Sequence, residues 1–161
     1  KYQGAGPYVY SRQMVVVKRE SEIETLQDLK GKRVAVQATT KAEDLFLHNI
    51  ASELPQMEQV NCFSSTTEIY AALRKNYVDA IAGHEAMLTS LVKDSKGTYR
   101  MLRESPYKSE LGVAFKKGTH EEIAEELTET LKEMQSDGIT KEIVTNYGLD
   151  ADEILPEGEG K

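Results

Sequence analysis

Arg33-Val-Ala-Val-Gln-Ala-Thr-Thr-Lys-Ala-Glu43 is the stretch on which the reading of this chain turns. Val34, Ala35 and Val36 form an apolar run between Arg33 and Gln37, a pattern that predicts a short strand covered on both faces. Thr40 stands three residues before Glu43, the S/T-x-x-E spacing of a capping box, and so predicts a helix start. The first N–H groups of a helix lack backbone partners and carry roughly half a positive charge. The hydroxyls of Thr39 and Thr40 beside such an end suit an anion. The same two residues are also accounted for as helix caps alone.

The alternation of strand and helix continues outward. Lys1–Gly6 is polar and glycine-rich and reads as a loose lead-in. Gln13–Lys18 predicts a strand, and Thr25–Gly31 a single helical turn closed by glycine. Lys41–Leu54 predicts a helix with Leu45, Phe46, Ile50 and Leu54 on one face, ended by Pro55. Gln59–Phe63 and Val78–Ala82 predict strands, the second broken by Gly83. Ser65-x-x-Glu68 opens a helix through Lys75, and Glu85–Lys93 forms another. Tyr99–Leu102 and Leu111–Phe115 read as further strands. Thr119-x-x-Glu122 predicts the cap of a helix to Ser136, with Ile123, Leu127, Leu131 and Met134 as its apolar stripe. Ile139–Tyr147 is a last helix before the acidic Asp150–Lys161, expected to fray.

Strands that alternate with helices in this way imply βαβ units and a mainly parallel sheet flanked by helices, an α/β fold. Ligands of such open sheets collect beyond the carboxyl ends of the strands. Two of those ends carry polar groups, Gln37-Ala-Thr-Thr40 and Gly83-His84-Glu85, so both are expected to face one crevice.

The 161 residues suffice for a buried core, and the formal net charge of -7 argues against a nucleic-acid surface. The single cysteine, Cys62, excludes an internal disulfide and a cysteine zinc site, and its apolar setting predicts a small core residue. No run approaches the ~18 apolar residues of a membrane span. No nucleotide-binding, hydrolase or metalloprotease motif is present. His48 and His120 read as solvated; His84, at a strand end, reads equally as an exposed loop histidine or a site residue. Glu121, Glu122, Glu125, Glu126 and Glu129 have the spacing of a solvated helix face, not of a metal cluster. No catalytic group, cofactor or metal is expected.

Several stretches in order carry a resemblance: Pro7-Tyr with Ser11-x-Gln-x-Val-Val-Val-Lys18, Leu26-x-Asp-Leu-Lys-Gly-Lys-Arg-Val-Ala-Val-Gln-Ala-Thr-Thr40, Asn76-x-Val-Asp-Ala-Ile81, Leu111-Gly-Val-Ala-Phe-Lys-Lys-Gly118, and Leu131-x-x-Met-x-x-Asp-Gly with Lys141-x-Ile143. Together they resemble bacterial extracellular solute-binding protein family 3, the polar-amino-acid receptors of the type 2 periplasmic-binding-protein fold. The resemblance implies a two-lobed receptor, periplasmic or extracellular and membrane-associated, that delivers a polar amino acid or similar small anion to the permease of an ABC importer. Its alternatives are the sensor domain of a membrane kinase or cyclase, and a dehydratase-like enzyme of the same fold. A cytosolic transcription regulator would need a basic helix-turn-helix, which is absent.

The family's carboxylate-binding stretch falls on Ala38-Thr39-Thr40, flanked by Gln37 and Lys41, and the acid that meets a ligand's ammonium falls on His84. This last is a departure, because neutral imidazole cannot replace a carboxylate's charge. Residues 11–115 then correspond to the second, ligand-binding lobe. Residues 116–150 correspond to helices that pack on a first lobe, or here on a second chain, and 151–161 to a flexible acidic tail.

Overall fold

The structure, a computed structural model, describes residues 2–50 and 53–156. The elements in order are β1 (Tyr2–Lys18), a 3-10 turn (Leu26–Leu29), β2 (Arg33–Gln37), α1 (Lys41–Phe46), β3 (Gln59–Phe63), α2 (Thr66–Arg74), β4 (Ala80–His84) and α3 (Glu85–Asp94). They continue as β5 (Tyr99–Met101), β6 (Tyr107–Lys116), α4 (Glu121–Ser136), α5 (Ile139–Asn146) and α6 (Ala151–Ile154). The chain divides into two compact units, Arg12–Tyr107 and the residues before and after it. Ser11 and Lys108–Phe115, within the span 11–115 expected as the ligand-binding lobe, are grouped with the other unit.

In the Arg12–Tyr107 unit the strand order is β3-β2-β4-β1-β5. β2 pairs in parallel with β3 and with β4, while β1 enters antiparallel between β4 and β5. The sheet is therefore mixed, its three parallel strands being those joined by α1 and α2. Both faces are covered at the centre, so β2, β4 and Met14–Val17 of β1 carry consecutive apolar residues, whereas the outer strand β3 keeps Gln59 and Asn61. Val15, Val17, Val34, Val36, Ala80 and Ala82 meet α1 through Ala42, Leu45 and Phe46. Met14, Val16, Ala35 and Ile81 meet Ile69, Ala72 and Leu73 of α2 and Leu88 of α3. Burying each large side chain of this set stabilises the fold by roughly 1.5–3 kcal/mol.

Several local expectations are corrected here. α1 stops at Phe46 rather than Leu54, because Asn49 takes a left-handed backbone with φ 52°. Asn tolerates that region where most residues do not. Ile50 is consequently exposed, whereas Leu54 still reaches the core. Gly83 does not break β4 but lies within it, opposite Met14 of β1. Its missing side chain leaves room for the Met87 methyl, which a Cβ would meet at 2.5 Å. Cys62 is exposed rather than in the core, since β3 is an edge strand. The box at Ser65 and Glu68 forms as predicted, with Ser65 Oγ accepting from the Glu68 N–H and Glu68 Oε2 accepting from the Ser65 N–H. That at Thr119 does not: the N-cap is His120, with φ 58°, and the Thr119 hydroxyl turns back to the Lys116 carbonyl.

In the second unit the expected lead-in is strand from Tyr2 onward, with Ala5 buried; Lys1 lies outside the described residues. Gly112 of β6 packs so closely that a Cβ there would stand 2.6 Å from the Ala5 carbonyl oxygen. Val144 of α5 packs with Ala151 and Ile154 of α6 and with Val9, Tyr10, Leu149 and Leu155. Residues 151–154, expected to be flexible, therefore form a helix with Ile154 buried; the tail from 157 lies outside the described residues. Of the α4 stripe, Leu127, Leu131 and Met134 are half-buried and Ile123 is exposed, with Ala124 taking the buried position.

The starts of β2 and β4 are joined by Arg33 and Asp79. The Asp79 carboxylate accepts the Arg33 N–H at 2.8 Å and its guanidinium at 3.0 and 3.2 Å. The Arg33 side chain, followed by its backbone N–H, holds the Asp79 carboxyl below its ordinary range. A depressed folded value contributes stability that is present above the unfolded carboxyl value, near ~3.9, and is lost as pH falls through the folded one. Asp79→Asn is expected to reduce the loss of stability between about pH 5 and pH 2 while leaving the slope above pH 5 unchanged. Urea denaturation across that range checks this, and an unaltered acid limb would refute it.

Candidate functional site

The parallel register sets Arg33–Gln37 beside Gln59–Phe63, and Val34 and Ala35 beside Ala80 and Ile81. The carboxyl ends of β2, β3 and β4 therefore share one edge of the sheet. β1 joins that edge where Gln13 pairs with His84. The β2–α1 turn and the start of α3 are thus brought together, as expected of the crevice in an open sheet.

The β2–α1 turn differs in detail from a capping box. Thr40 is the N-cap, with extended backbone, yet its hydroxyl donates to the Gln37 carbonyl at 2.6 Å. Thr39 is left-handed, with φ 60°, and its hydroxyl donates to the Ala38 carbonyl at 2.7 Å. The turn delivers the Thr39 N–H, not that of Thr40, to Glu43 Oε2 at 2.7 Å. The expected reciprocal pair at Thr40 is therefore shifted by one residue. Both hydroxyl protons point to backbone carbonyls, so each hydroxyl must turn before it can donate to a ligand. α1 is only six residues long, so its dipole is short.

The predicted site residues divide between the faces of the sheet. Gln37 donates to the Ser64 carbonyl at 3.5 Å, toward the β3–α2 turn. Lys41 lies with its ammonium 4.5 Å from the centre of the Tyr107 ring, a cation–π contact. Tyr107 packs on the α1 side of the core. The pleat alternates side chains between faces, which puts His84 on that α1 side with Ala80 and Ala82. His84 is exposed, and its Nδ1 accepts the Ala86 N–H at 3.2 Å, capping α3. The proton of the neutral ring therefore sits on Nε2.

Arg12 and Glu85 are the pair that sequence reasoning missed. The guanidinium grips the carboxylate bidentately, Nη2 to Oε1 at 2.6 Å and Nε to Oε2 at 3.0 Å, with both side chains under a tenth exposed. Removing one partner of such a pair costs about 3–5 kcal/mol, because the other charge stays buried. Glu85 also opens α3, where a negative charge suits the helix dipole. The signal in the sequence was an arginine inside an otherwise apolar strand, which demands a buried counter-charge. Glu85 sits next to His84 but serves Arg12, so it does not replace the carboxylate that position 84 lacks. Among the described residues no cluster of acidic, histidine or cysteine side chains could hold a metal ion, and no helix is long and apolar enough to cross a membrane.

Comparison with known proteins agrees with this architecture. The family described as ABC transporter, phosphonate, periplasmic substrate-binding protein matches residues 3–153. The L-cystine-binding protein TcyJ of Escherichia coli is 32% identical over 140 residues, 86% of this chain and 50% of that protein. The glutamine-binding protein GlnH of Bacillus subtilis is 30% identical over 145 residues, 87% of this chain and 49% of that one. The chain thus spans about half the length of the curated relatives it matches. A cysteine-binding protein from Campylobacter jejuni superposes with a TM-score of 0.67 at 23% identity, covering 98% of this chain and 64% of that one. An ancestral arginine-binding protein bound to arginine gives 0.63 at 28% identity, covering 91% and 64%. The mixed sheet, the two turns at its carboxyl edge and a match along nearly the whole length make this chain a member of the periplasmic substrate-binding proteins of ABC transporters.

Proposed function

We propose that this chain is the ligand-binding portion of a solute receptor that serves an ABC importer, acting outside the cytoplasm at the membrane, and that it binds a polar amino acid or a similar small anionic solute without transforming it. The observation that carries the reading is the shared edge in the Arg12–Tyr107 unit, where the parallel register aligns the Gln37–Lys41 turn with His84. Turned away from the Ala38 and Gln37 carbonyls, the Thr39 and Thr40 hydroxyls would donate to the solute's carboxylate beside the positive charge of Lys41, and Gln37 borders them. His84 supplies a ring N–H where a zwitterion's ammonium would need a carboxylate, which favours a solute that is not cationic there. The names of the relatives support the amino-acid class, and the family's description adds phosphonates as a second oxyanion class.

Calorimetric titration with L-glutamine, L-cystine, L-arginine and methylphosphonate tests the reading: one of them is expected to bind and to be recovered unchanged. Binding by none, or turnover, refutes it. Thr40→Val is expected to weaken the bound solute by about 1.5–3 kcal/mol, the worth of a hydrogen bond to a charged group. Unchanged affinity in a variant with unchanged melting temperature would return Thr40 to its bond with Gln37.

The receptor reading also requires a cover for the second unit. Ile123, Ile139, Ile143 and Tyr147 are 51%, 43%, 47% and 77% exposed. In the proposed receptor this surface meets another lobe or a second chain. The isolated chain is therefore expected to self-associate as its concentration rises, and Ile143→Lys to shift it toward monomer. Light scattering at several concentrations decides this; a strict monomer throughout would contradict it.

A further inference from the structure

Gln13 is only 7% exposed. Its carbonyl accepts the Ser105 hydroxyl at 2.7 Å, and it is paired with His84 across the β1–β4 ladder. Its carboxamide, in contrast, takes no hydrogen bond from any described residue. Among the described residues no fully enclosed side-chain nitrogen or oxygen is left unsatisfied. The stem of Gln13 is thus packed while the amide tip meets the surface. A packed stem limits where that tip can go, and burying an unpaired amide costs free energy that a bound partner would recover.

The position of that tip follows from the pleat. Val15 and Val17 face α1, so Gln13 faces the same side. Residues directly opposite in an antiparallel pair have side chains on the same face, so Gln13 and His84 stand next to each other there. The surrounding groups are donors. Neutral His84 carries its proton on Nε2, and the Lys41 ammonium lies over Tyr107 on this side. Of the three carboxylates on the starts of α1 and α3, Glu43 takes the Thr39 N–H, Asp44 lies 3.3 Å from His48 Nδ1, and Glu85 takes the Arg12 guanidinium. An amide carries both a donor and an acceptor, but here the setting favours an incoming oxygen.

We propose that the Gln13 carboxamide is a ligand-contacting group of the site, donating from Nε2 to a carboxylate or phosphonate oxygen of the bound solute. This rests on the receptor reading above. Gln13 would then select for solutes that present an oxygen, rather than an ammonium, beside position 84.

The test uses whichever of L-glutamine, L-cystine, L-arginine or methylphosphonate binds the unaltered protein. Gln13→Leu, whose side chain continues the apolar row of Val15 and Val17, is expected to keep the melting temperature and lose about tenfold in affinity. Gln13→Glu, which has the same shape, is expected to lose at least as much, because it sets a carboxylate against an oxygen. Affinity within about twofold of the unaltered protein in Gln13→Leu, or tighter binding in Gln13→Glu, overturns the proposal while leaving the receptor reading in place. Should Gln13→Leu melt early, the side-chain NH2 signal of Gln13 decides, observed by nitrogen–proton NMR and assigned through Gln13→Glu. A shift on adding the bound solute supports the contact, and a stationary signal overturns it. If none of the four binds, the receptor reading and this contact fall together.

Discussion

The register of β2 against β4 is the constraint on which the described site depends. Arg33 and Asp79 hold it from both directions, since the Asp79 N–H donates to the Arg33 carbonyl while the Asp79 carboxylate takes the Arg33 N–H and guanidinium. The pair is a third exposed and contributes little net energy as an ion pair. Its importance is geometric. A slip of one residue would turn Val34, Val36 and Ala35 to the wrong faces and move Gln37 away from the end of β4. The apolar faces and the ion pair therefore specify the same alignment.

From that alignment the edge chemistry follows. The two ends of the parallel strands serve different purposes: the amino ends are closed by charge pairing and the carboxyl ends carry the turns. Arg12 and Glu85 add a second constraint there, tying β1 to the start of α3 through two buried side chains. A bidentate pair with both members buried tolerates few alternative geometries. It holds the Gln13–His84 rung on one side and the first turn of α3 on the other. The site is accordingly built from strand ends and helix starts, which place side chains more rigidly than long loops do.

The electrostatic character of this edge is set by prior engagement as much as by composition. The chain is acidic overall, yet the two carboxylates closest in sequence to the turns, Glu43 and Glu85, are occupied by a backbone N–H and a guanidinium. On the α1 side stand the Lys41 ammonium over Tyr107, the Gln13 amide, and His84, whose Nδ1 accepts the Ala86 N–H. In the proposed receptor such a lining would suit an anion or an oxygen-rich solute despite a formal net charge of -7.

Much of this fold was legible in the sequence, because local rules governed it. The apolar triplet Val34–Val36, the box at Ser65 and Glu68, and the helical face of Ile69, Ala72 and Leu73 each need only neighbours within a few residues, and each reads correctly. So did the α/β class, which follows from the alternation of periods. Some errors were local, at the end of α1 near Asn49 and at the caps of Thr40 and Thr119, and others fell where distant residues decide. Whether Gly83 ends a strand depends on Met14 and Met87, and whether Cys62 is covered depends on the place of β3 at the sheet's edge. The acidic Ala151–Ile154 folds because Val9 and Val144 give Ile154 an apolar partner. Above all, only the tertiary structure joined Arg12 to Glu85, 73 positions away, and set Gln13 against His84. Sequence spacing carries the periodicity of single elements, whereas pairing between strands is a choice among many partners that burial and charge settle together.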